Sequence, residues 1–180
     1  MIRKVSNILP HQTNHDILNF LIHQGKWKLA DDAGRFGETE RTNATAEKMI
    51  EENVSNSGFA FVTYDRRYNL HVDTPLNLYA DIIFYTLKNK LKDMETLQRV
   101  YWNYYDSSAE ANFHKDEFEK GFVSVVYNLH TNDGGTEIEE EFYPSVGGQA
   151  IIFPSNVNHR GRPSKSTKHR FNLNMIVKLK

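Results

Sequence analysis

The amino-acid sequence predicts an α+β protein that is mainly β, in which N-terminal helices support a sandwich or barrel. Helical patterns dominate the chain up to about residue 95, and short strands with glycine-containing turns follow. The 11 Phe and 9 Tyr also favour β structure. We expect one domain, 1–180, with a helical support and lid region in 1–95 and the β core in 97–180.

The composition limits the kinds of site that the protein can use. The chain contains no cysteine, which excludes disulfides, thiolate metal ligands and a cysteine nucleophile. Its formal net charge of -1 gives no general attraction to nucleic acid or to an anionic membrane. No stretch has the length of a membrane span, and the N-terminus lacks the apolar core of a secretion signal. We therefore expect a soluble cytoplasmic protein without membrane contact.

Two helices are predicted in the first third of the chain. The first is capped by Thr13 or Asn14 and ends near Gly25, because a small polar residue precedes the apolar pattern and a glycine follows it. The second is short and spans about 45–53. The apolar residues of the first helix recur at helical spacing: Ile17, Leu18, Leu21 and Ile22.

A third helix follows a predicted strand at 58–64. Asp73 and Thr74 offer a cap, and Pro75 suits the first turn because its missing N–H has no partner there in any case. The apolar residues of this helix also recur at helical spacing: Leu76, Tyr79, Ile83 and Leu87.

The second half of the chain is predicted to form strands. A turn signal at 132–135 follows the second of them, and Pro154 ends the third. The predicted strands are 97–105, 122–129, 150–153 and 171–179.

Three residues of this half form a candidate metal site. His114 and Asp116 are separated by one residue, and residues i and i+2 of a strand point to the same face. His159 follows strand 150–153, where the mouth of a barrel would lie. Two imidazoles and one carboxylate bind one face of a metal ion, as in non-haem Fe(II) oxygenases, although Mn, Co, Ni and Zn compete. Arg170 can supply a fixed cation for a dicarboxylate co-substrate such as 2-oxoglutarate.

The segment from about residue 99 to residue 179 resembles the Fe(II)/2-oxoglutarate dioxygenases, especially small prolyl-4-hydroxylase-like members. Several motifs of that family occur here in the same order, although the turn Gly134-Gly-Thr-Glu137 reverses the polar pair of the family's Gly-Gly-Glu-Thr. The other matching segments are Asn103-Tyr-Tyr105 (as in AlkB-type enzymes), Phe113-His-Lys-Asp116, 123–129, 144–154 and Arg170-Phe-Asn-Leu-Asn174.

This resemblance implies a fold and an activity. The fold is a double-stranded β-helix, the jelly-roll core that cupins share, and the activity is hydroxylation of a C–H bond with dioxygen and 2-oxoglutarate. Family members that halogenate carry a small residue where this chain has Asp116, so hydroxylation is favoured. The residues implied to hold Fe(II) and to act in catalysis are His114, Asp116 and His159. The residues implied to bind 2-oxoglutarate are Arg170, Tyr105, Asn103 and Asn172.

Tyr105 and Arg170 also have simpler interpretations. Tyr105 lies in an aromatic run and could be an ordinary core residue. Arg170 has basic neighbours and could be a loop charge, in which case His169 or Lys168 would be the fallback for binding the co-substrate.

The sequence says less about the substrate. Position 176 is Ile, where AlkB-type repair enzymes carry a second Arg, and this departure weakens a nucleobase substrate. We therefore rank a prolyl or other peptide side chain first, a small molecule second and a nucleobase third. Two charge runs flank the predicted site, an acidic one (Glu137, Glu139, Glu140, Glu141) and a basic one (Arg160, Arg162, Lys165, Lys168, Arg170).

Two further expectations remain open at this point. The polar loop 29–42, with Gly34 and Gly37, is predicted to close over the pocket as a substrate lid. The same β scaffold also hosts proteins without oxidative chemistry, so a zinc-binding structural or sensing module is the main rival and a metal-free interaction domain is the third alternative.

Overall fold

The structure is a computed structural model that describes residues 1–24, 27–29, 58–109 and 111–180. The predicted helix at 45–53 lies outside these residues. The predicted lid at 29–42 also lies outside them, apart from its first residue.

The larger of two antiparallel sheets contains eight strands in the described part of the chain. The strands follow the order β1-β9-β6-β11-β5-β3-β2. The short strand β4 pairs with the end of β3, on the side opposite β5. Their bounds are Arg3–Val5 (β1), Lys28–Leu29 (β2), Phe59–Asp65 (β3), Leu70–His71 (β4), Met94–Asp106 (β5), Phe122–Asn128 (β6), Gln149–Pro154 (β9) and His169–Leu179 (β11). All five strands predicted from the sequence are confirmed, with ends that differ by at most three residues.

The smaller sheet has the order β10-β7-β8. Its strands are Gly135–Ile138 (β7), Glu141–Pro144 (β8) and His159–Arg162 (β10). From β6 to β11 the chain crosses repeatedly between the two sheets, so the turn signal at 132–135 carries it from one sheet to the other. The mainly β, double-stranded β-helix fold with supporting helices is therefore confirmed.

Two α-helices, α1 (His11–Gln24) and α2 (Leu76–Leu91), belong to the described residues. The predicted cap of α1 is wrong, because the helix begins before Thr13. Asn14 instead lies buried inside the helix, where its Oδ1 accepts a hydrogen bond from the Tyr127 hydroxyl at 2.6 Å. At the start of α2, the Thr74 hydroxyl accepts a hydrogen bond from the Leu76 N–H at 3.4 Å. Pro75 lies one residue before the first residue of the helix. Neither helix is long and apolar enough to cross a membrane.

The main hydrophobic core lies between the helices and one face of the larger sheet. Successive residues of a strand point to opposite faces, and β11 shows this alternation along its length. Its outer-face residues Phe171, Leu173, Met175 and Val177 pack in the core with α1 and α2. A smaller apolar cluster joins the two sheets; it contains Val126, Ile138, Tyr143, Ile151 and Phe153.

Candidate metal centre and anion site

The structure brings His114, Asp116 and His159 together between the two sheets. His159 opens β10, a strand that the sequence analysis did not predict, and pairs with His114 in an isolated bridge with two backbone hydrogen bonds of 2.9 Å. The Asp116 N–H is held by the Ser155 carbonyl at 3.0 Å. Strand alternation is not what brings these two side chains together, because His114 lies in a single bridge and Asp116 in a bend.

The histidine hydrogen bonds define which ring nitrogens face the cluster. The Nδ1 atom of His114 lies 3.0 Å from the Asn112 carbonyl, and the Nδ1 atom of His159 lies 3.2 Å from the Val157 carbonyl. Because a carbonyl can only accept, each Nδ1 donates its proton to that carbonyl and each Nε2 is left to face the cluster. The ligating atoms of the three residues all lie within 4.8 Å of one another. This donor set fits a divalent transition metal.

The distance between Asp116 and His159 points to a cation between them. The buried His159 Nε2 has no hydrogen-bond partner among the described residues, and it lies 3.3 Å from Asp116 Oδ2. Two acceptor atoms so close repel each other unless a proton or a metal ion lies between them. Burial by itself lowers the pKa of His159, but the Asp116 carboxylate raises it above its ordinary value.

The charges around the cluster keep Asp116 ionised. Burial by itself raises the pKa of Asp116, but His159, Arg99 and His114 together hold it well below its usual range. Burial and the neighbouring His159 lower the pKa of His114. Asp116 is therefore ionised and His114 neutral near neutral pH, as a metal ligand must be, whereas a metal ion at His159 has to displace a proton whose binding Asp116 favours.

Four side chains that the sequence analysis missed contact the Asp116 carboxylate. Tyr101 Oη donates to Oδ1 at 2.6 Å, and Ser124 Oγ donates to Oδ2 at 2.5 Å. Arg99 Nη2 lies 3.4 Å from Oδ1, and Asn174 Nδ2 lies 3.5 Å from Oδ2. Two of them could have been found from the period of a strand, since Arg99 and Tyr101 lie on the same face of β5 as the predicted Asn103 and Tyr105.

Arg170 is a buried cation without a carboxylate partner among the described residues. Only 1% of it is exposed, and its donors reach neutral oxygens of Ser145 (2.8 Å), Thr136 (3.2 Å) and Asn128 (3.4 Å). Its Nη1 and the Asn128 Nδ2 are buried donors with no hydrogen-bond partner in the part of the chain that the structure describes. Burial lowers the pKa of Arg170 to about 10, so the guanidinium remains charged at neutral pH. These features describe a site for a buried anion.

The other residues predicted to bind the co-substrate line the same face. Tyr105 lies opposite Arg170 in the β5–β11 register, and the Arg170 guanidinium carbon is 5.1 Å from the centre of its ring. Asn103 lies opposite Asn172 and donates to its side-chain oxygen at 3.0 Å. Gly161 makes room for the tyrosine ring, because a Cβ there would lie 2.4 Å from Tyr105 Cζ.

The two charge runs predicted from the sequence are joined by ion pairs at Glu137. Glu137 of the acidic run accepts from Arg160 Nε at 2.9 Å and from Arg162 Nη1 at 2.8 Å, so these charges pair across β7 and β10. Arg170 is buried and therefore does not belong to a basic surface.

Comparison with known proteins gives structural matches only. No family model matches the sequence, and no curated protein matches it. A prolyl-4-hydroxylase from Pseudomonas putida superposes with a TM-score of 0.64 at 14% identity, over 99% of this chain and 92% of that one.

Two further matches come from nogalamycin biosynthesis and from Streptomyces hygroscopicus. The non-haem alpha-ketoglutarate-dependent epimerase SnoN from nogalamycin biosynthesis has a TM-score of 0.61 at 11% identity, over 98% of this chain and 78% of that one. HygX from Streptomyces hygroscopicus, solved with nickel and 2-oxoglutarate bound, has a TM-score of 0.58 at 8% identity, with coverages of 98% and 82%. The chain therefore has the double-stranded β-helix fold of the 2-oxoglutarate-dependent non-haem enzymes.

Proposed function

We propose that the protein is an Fe(II)- and 2-oxoglutarate-dependent dioxygenase that hydroxylates a C–H bond. The observation that carries this proposal is the combination of a His-Asp-His cluster with a buried, unpaired guanidinium on one inner sheet face. A structural zinc site has no use for the second feature, whereas a dicarboxylate co-substrate needs it. The solved structures of HygX with nickel and 2-oxoglutarate and of SnoN with iron and alpha-ketoglutarate show that this fold holds such ligands.

In this proposal His114, Asp116 and His159 bind the iron. The bound iron supplies activation of dioxygen, coupled to decarboxylation of 2-oxoglutarate to succinate. The protein holds the two imidazoles through the Asn112 and Val157 carbonyls, so that both Nε2 lone pairs are already directed at the ion. The presence of Asp116 as a third protein ligand supports hydroxylation over halogenation.

The anion site orients the co-substrate. Arg170 binds the carboxylate distant from the metal, and its free Nη1, together with the free Asn128 Nδ2, provides donors that have no other partner among the described residues. Tyr105, Asn103 and Asn172 complete this pocket. Because both donors are already buried, the carboxylate is bound away from water, where charge-assisted hydrogen bonds are strongest.

A prolyl or other peptide side chain is the first-ranked substrate. The fold match to a prolyl-4-hydroxylase supports this ranking, while the matches to SnoN and to a carbocyclase of the same pathway support a small molecule as the second choice. A nucleobase ranks third, because Arg160 and Arg162 are paired with Glu137 and do not form a free basic surface for a phosphate backbone.

Anaerobic addition of Fe(II) and 2-oxoglutarate tests the proposal. A visible charge-transfer band from the chelated complex is expected in the native protein and is expected to be lost in His159→Ala. Admission of oxygen should then convert 2-oxoglutarate to succinate. Iron binding without the band would instead favour the metal-binding module.

A further inference from the structure

The donors around Asp116 leave one acceptor position of its carboxylate open. A carboxylate has about four lone-pair positions, two on each oxygen. Tyr101 Oη at 2.6 Å and Arg99 Nη2 at 3.4 Å use those of Oδ1. Ser124 Oγ at 2.5 Å uses one of Oδ2. The remaining position belongs to Oδ2, the oxygen that lies 3.3 Å from His159 Nε2.

The direction of the Tyr101 hydrogen bond is fixed by its other neighbour. Asn174 Nδ2 lies 2.5 Å from Tyr101 Oη, and an amide nitrogen can only donate. The phenol must therefore accept from Asn174 and donate its own proton to Asp116. The contact of Asn174 Nδ2 with Asp116 Oδ2, at 3.5 Å, is much longer, so Asn174 primarily serves Tyr101. Arg99 holds the ring in place, with its guanidinium carbon 5.0 Å from the ring centre.

We propose that Tyr101, oriented by Asn174, is a positioning residue that restricts Asp116 to one ligating oxygen, Oδ2. This inference rests on the proposed function. Two imidazoles and a single carboxylate oxygen leave three positions of an octahedral ion open, enough for a chelating 2-oxoglutarate and one further small ligand. A chelating Asp116 would take one of these positions. By holding Oδ1 away from the ion, Tyr101 keeps all three available.

The test uses apo-protein loaded anaerobically with Co(II), whose visible ligand-field spectrum reports its coordination. In Tyr101→Phe an Oδ1 lone pair is released and Asp116 can chelate. We expect one Co(II) per chain, a changed spectrum at saturating Co(II), and a 2-oxoglutarate affinity weakened on the order of tenfold, a typical effect for a residue that orients a metal ligand.

Two control variants make the expected result specific. Tyr127→Phe removes a hydroxyl that donates to a side-chain oxygen at the same 2.6 Å, but on the helix side of the sheet, and should leave spectrum and affinity unchanged. Ser124→Ala removes a donor from Oδ2, the oxygen that already ligates, so metal affinity can change while the spectrum of the loaded protein stays native. Thermal unfolding of each apo-variant checks that it is folded.

The outcomes separate this inference from the function on which it rests. A native spectrum and native 2-oxoglutarate affinity in Tyr101→Phe would overturn the positioning role, and so would weaker Co(II) binding with a native spectrum at saturation. A changed spectrum in Ser124→Ala equal to that in Tyr101→Phe would also overturn it. If the native protein itself binds no Co(II), the proposed metal site fails first.

Discussion

At the scale of single residues, Arg170 is the clearest departure from what folding alone would favour. Burying an ionised group without an opposite charge is costly, and hydrogen bonds to neutral hydroxyl and amide oxygens compensate only in part. A leucine or methionine at this position would suit the inner face of β11 better if packing were the only requirement. The unpaired charge therefore indicates a ligand that brings the missing negative charge.

The first prediction concerns this charge. Arg170→Gln should weaken 2-oxoglutarate binding by the free energy of a charged hydrogen bond, about 1.5 to 3 kcal/mol, while the affinity for Co(II) stays nearly native. Calorimetric titration measures both. Arg162→Gln is the matched control, because Arg162 is half-exposed and paired with Glu137. Unchanged co-substrate affinity in Arg170→Gln would show that the anion site lies elsewhere.

The second prediction concerns the contact between Gly161 and Tyr105. A Cβ at 161 would lie 2.4 Å from Tyr105 Cζ, so Gly161→Ala should displace the ring and weaken 2-oxoglutarate binding. In a Tyr105→Ala background the same change should have little further effect, because the clash is gone. This non-additivity is measured by a double-mutant cycle of binding free energies. Additive effects would mean that Gly161 acts on the site by another route.

At the scale of elements, the alternation of residues in a strand separates the fold from the site. On β11 the residues that pack against the helices alternate with Arg170, Asn172 and Asn174, which lie on the inner face. On β5 the inner face carries Arg99 and Tyr101 as well as the predicted Asn103 and Tyr105. The same strand therefore stabilises the protein with one face and builds the site with the other.

This alternation also explains what could be predicted from sequence. Strands were recognisable because their apolar residues and turns are local signals, and the motif residues were recognisable from their spacing. The partners of Asp116 were not, because Ser124 and Asn174 are small polar residues that meet it only through pairing of β6 with β11. The cap of α1 failed for a similar reason, since Asn14 is held by a distant tyrosine and not by its own helix end.

The third prediction concerns α2, where two adjacent isoleucines differ in burial. Ile83 is fully buried, so Ile83→Ala should lower the free energy of unfolding by about 2 to 5 kcal/mol through lost packing. Ile82 is 41% exposed, and Ile82→Ala should change the free energy of unfolding by no more than about 0.5 kcal/mol. Chemical denaturation measures both changes. Equal losses would mean that α2 does not pack on the sheet through the face that carries Ile83.

At the scale of the whole molecule, several buried polar groups of the site lack a hydrogen-bond partner among the described residues. They include His159 Nε2, Arg170 Nη1 and Asn128 Nδ2. These groups reduce the stability of the ligand-free protein, and metal and co-substrate would remove that cost together. Stability and ligand occupancy should therefore be coupled.

The fourth prediction follows from this coupling. Ni(II) and 2-oxoglutarate together should raise the unfolding temperature more than the sum of the two separately, because the chelating co-substrate binds both the metal and Arg170. A ligand at a hundred times its dissociation constant adds roughly 2.7 kcal/mol to the free energy of unfolding. Differential scanning fluorimetry measures the shifts. Purely additive shifts in the native protein, or an equal excess in Arg170→Gln, would contradict the coupling.

The pairing of β11 with both β5 and β6 has a further consequence for the quality of any preparation. A shift of β11 by one residue would exchange its two faces, placing Arg170 in the helix-covered core and Phe171 in the cavity. Such a molecule would lose its packing and its anion site at once. A register shift of β11 is therefore not expected to give a well-packed molecule that lacks only the anion site. The fraction of molecules that bind co-substrate should equal the fraction that unfold cooperatively.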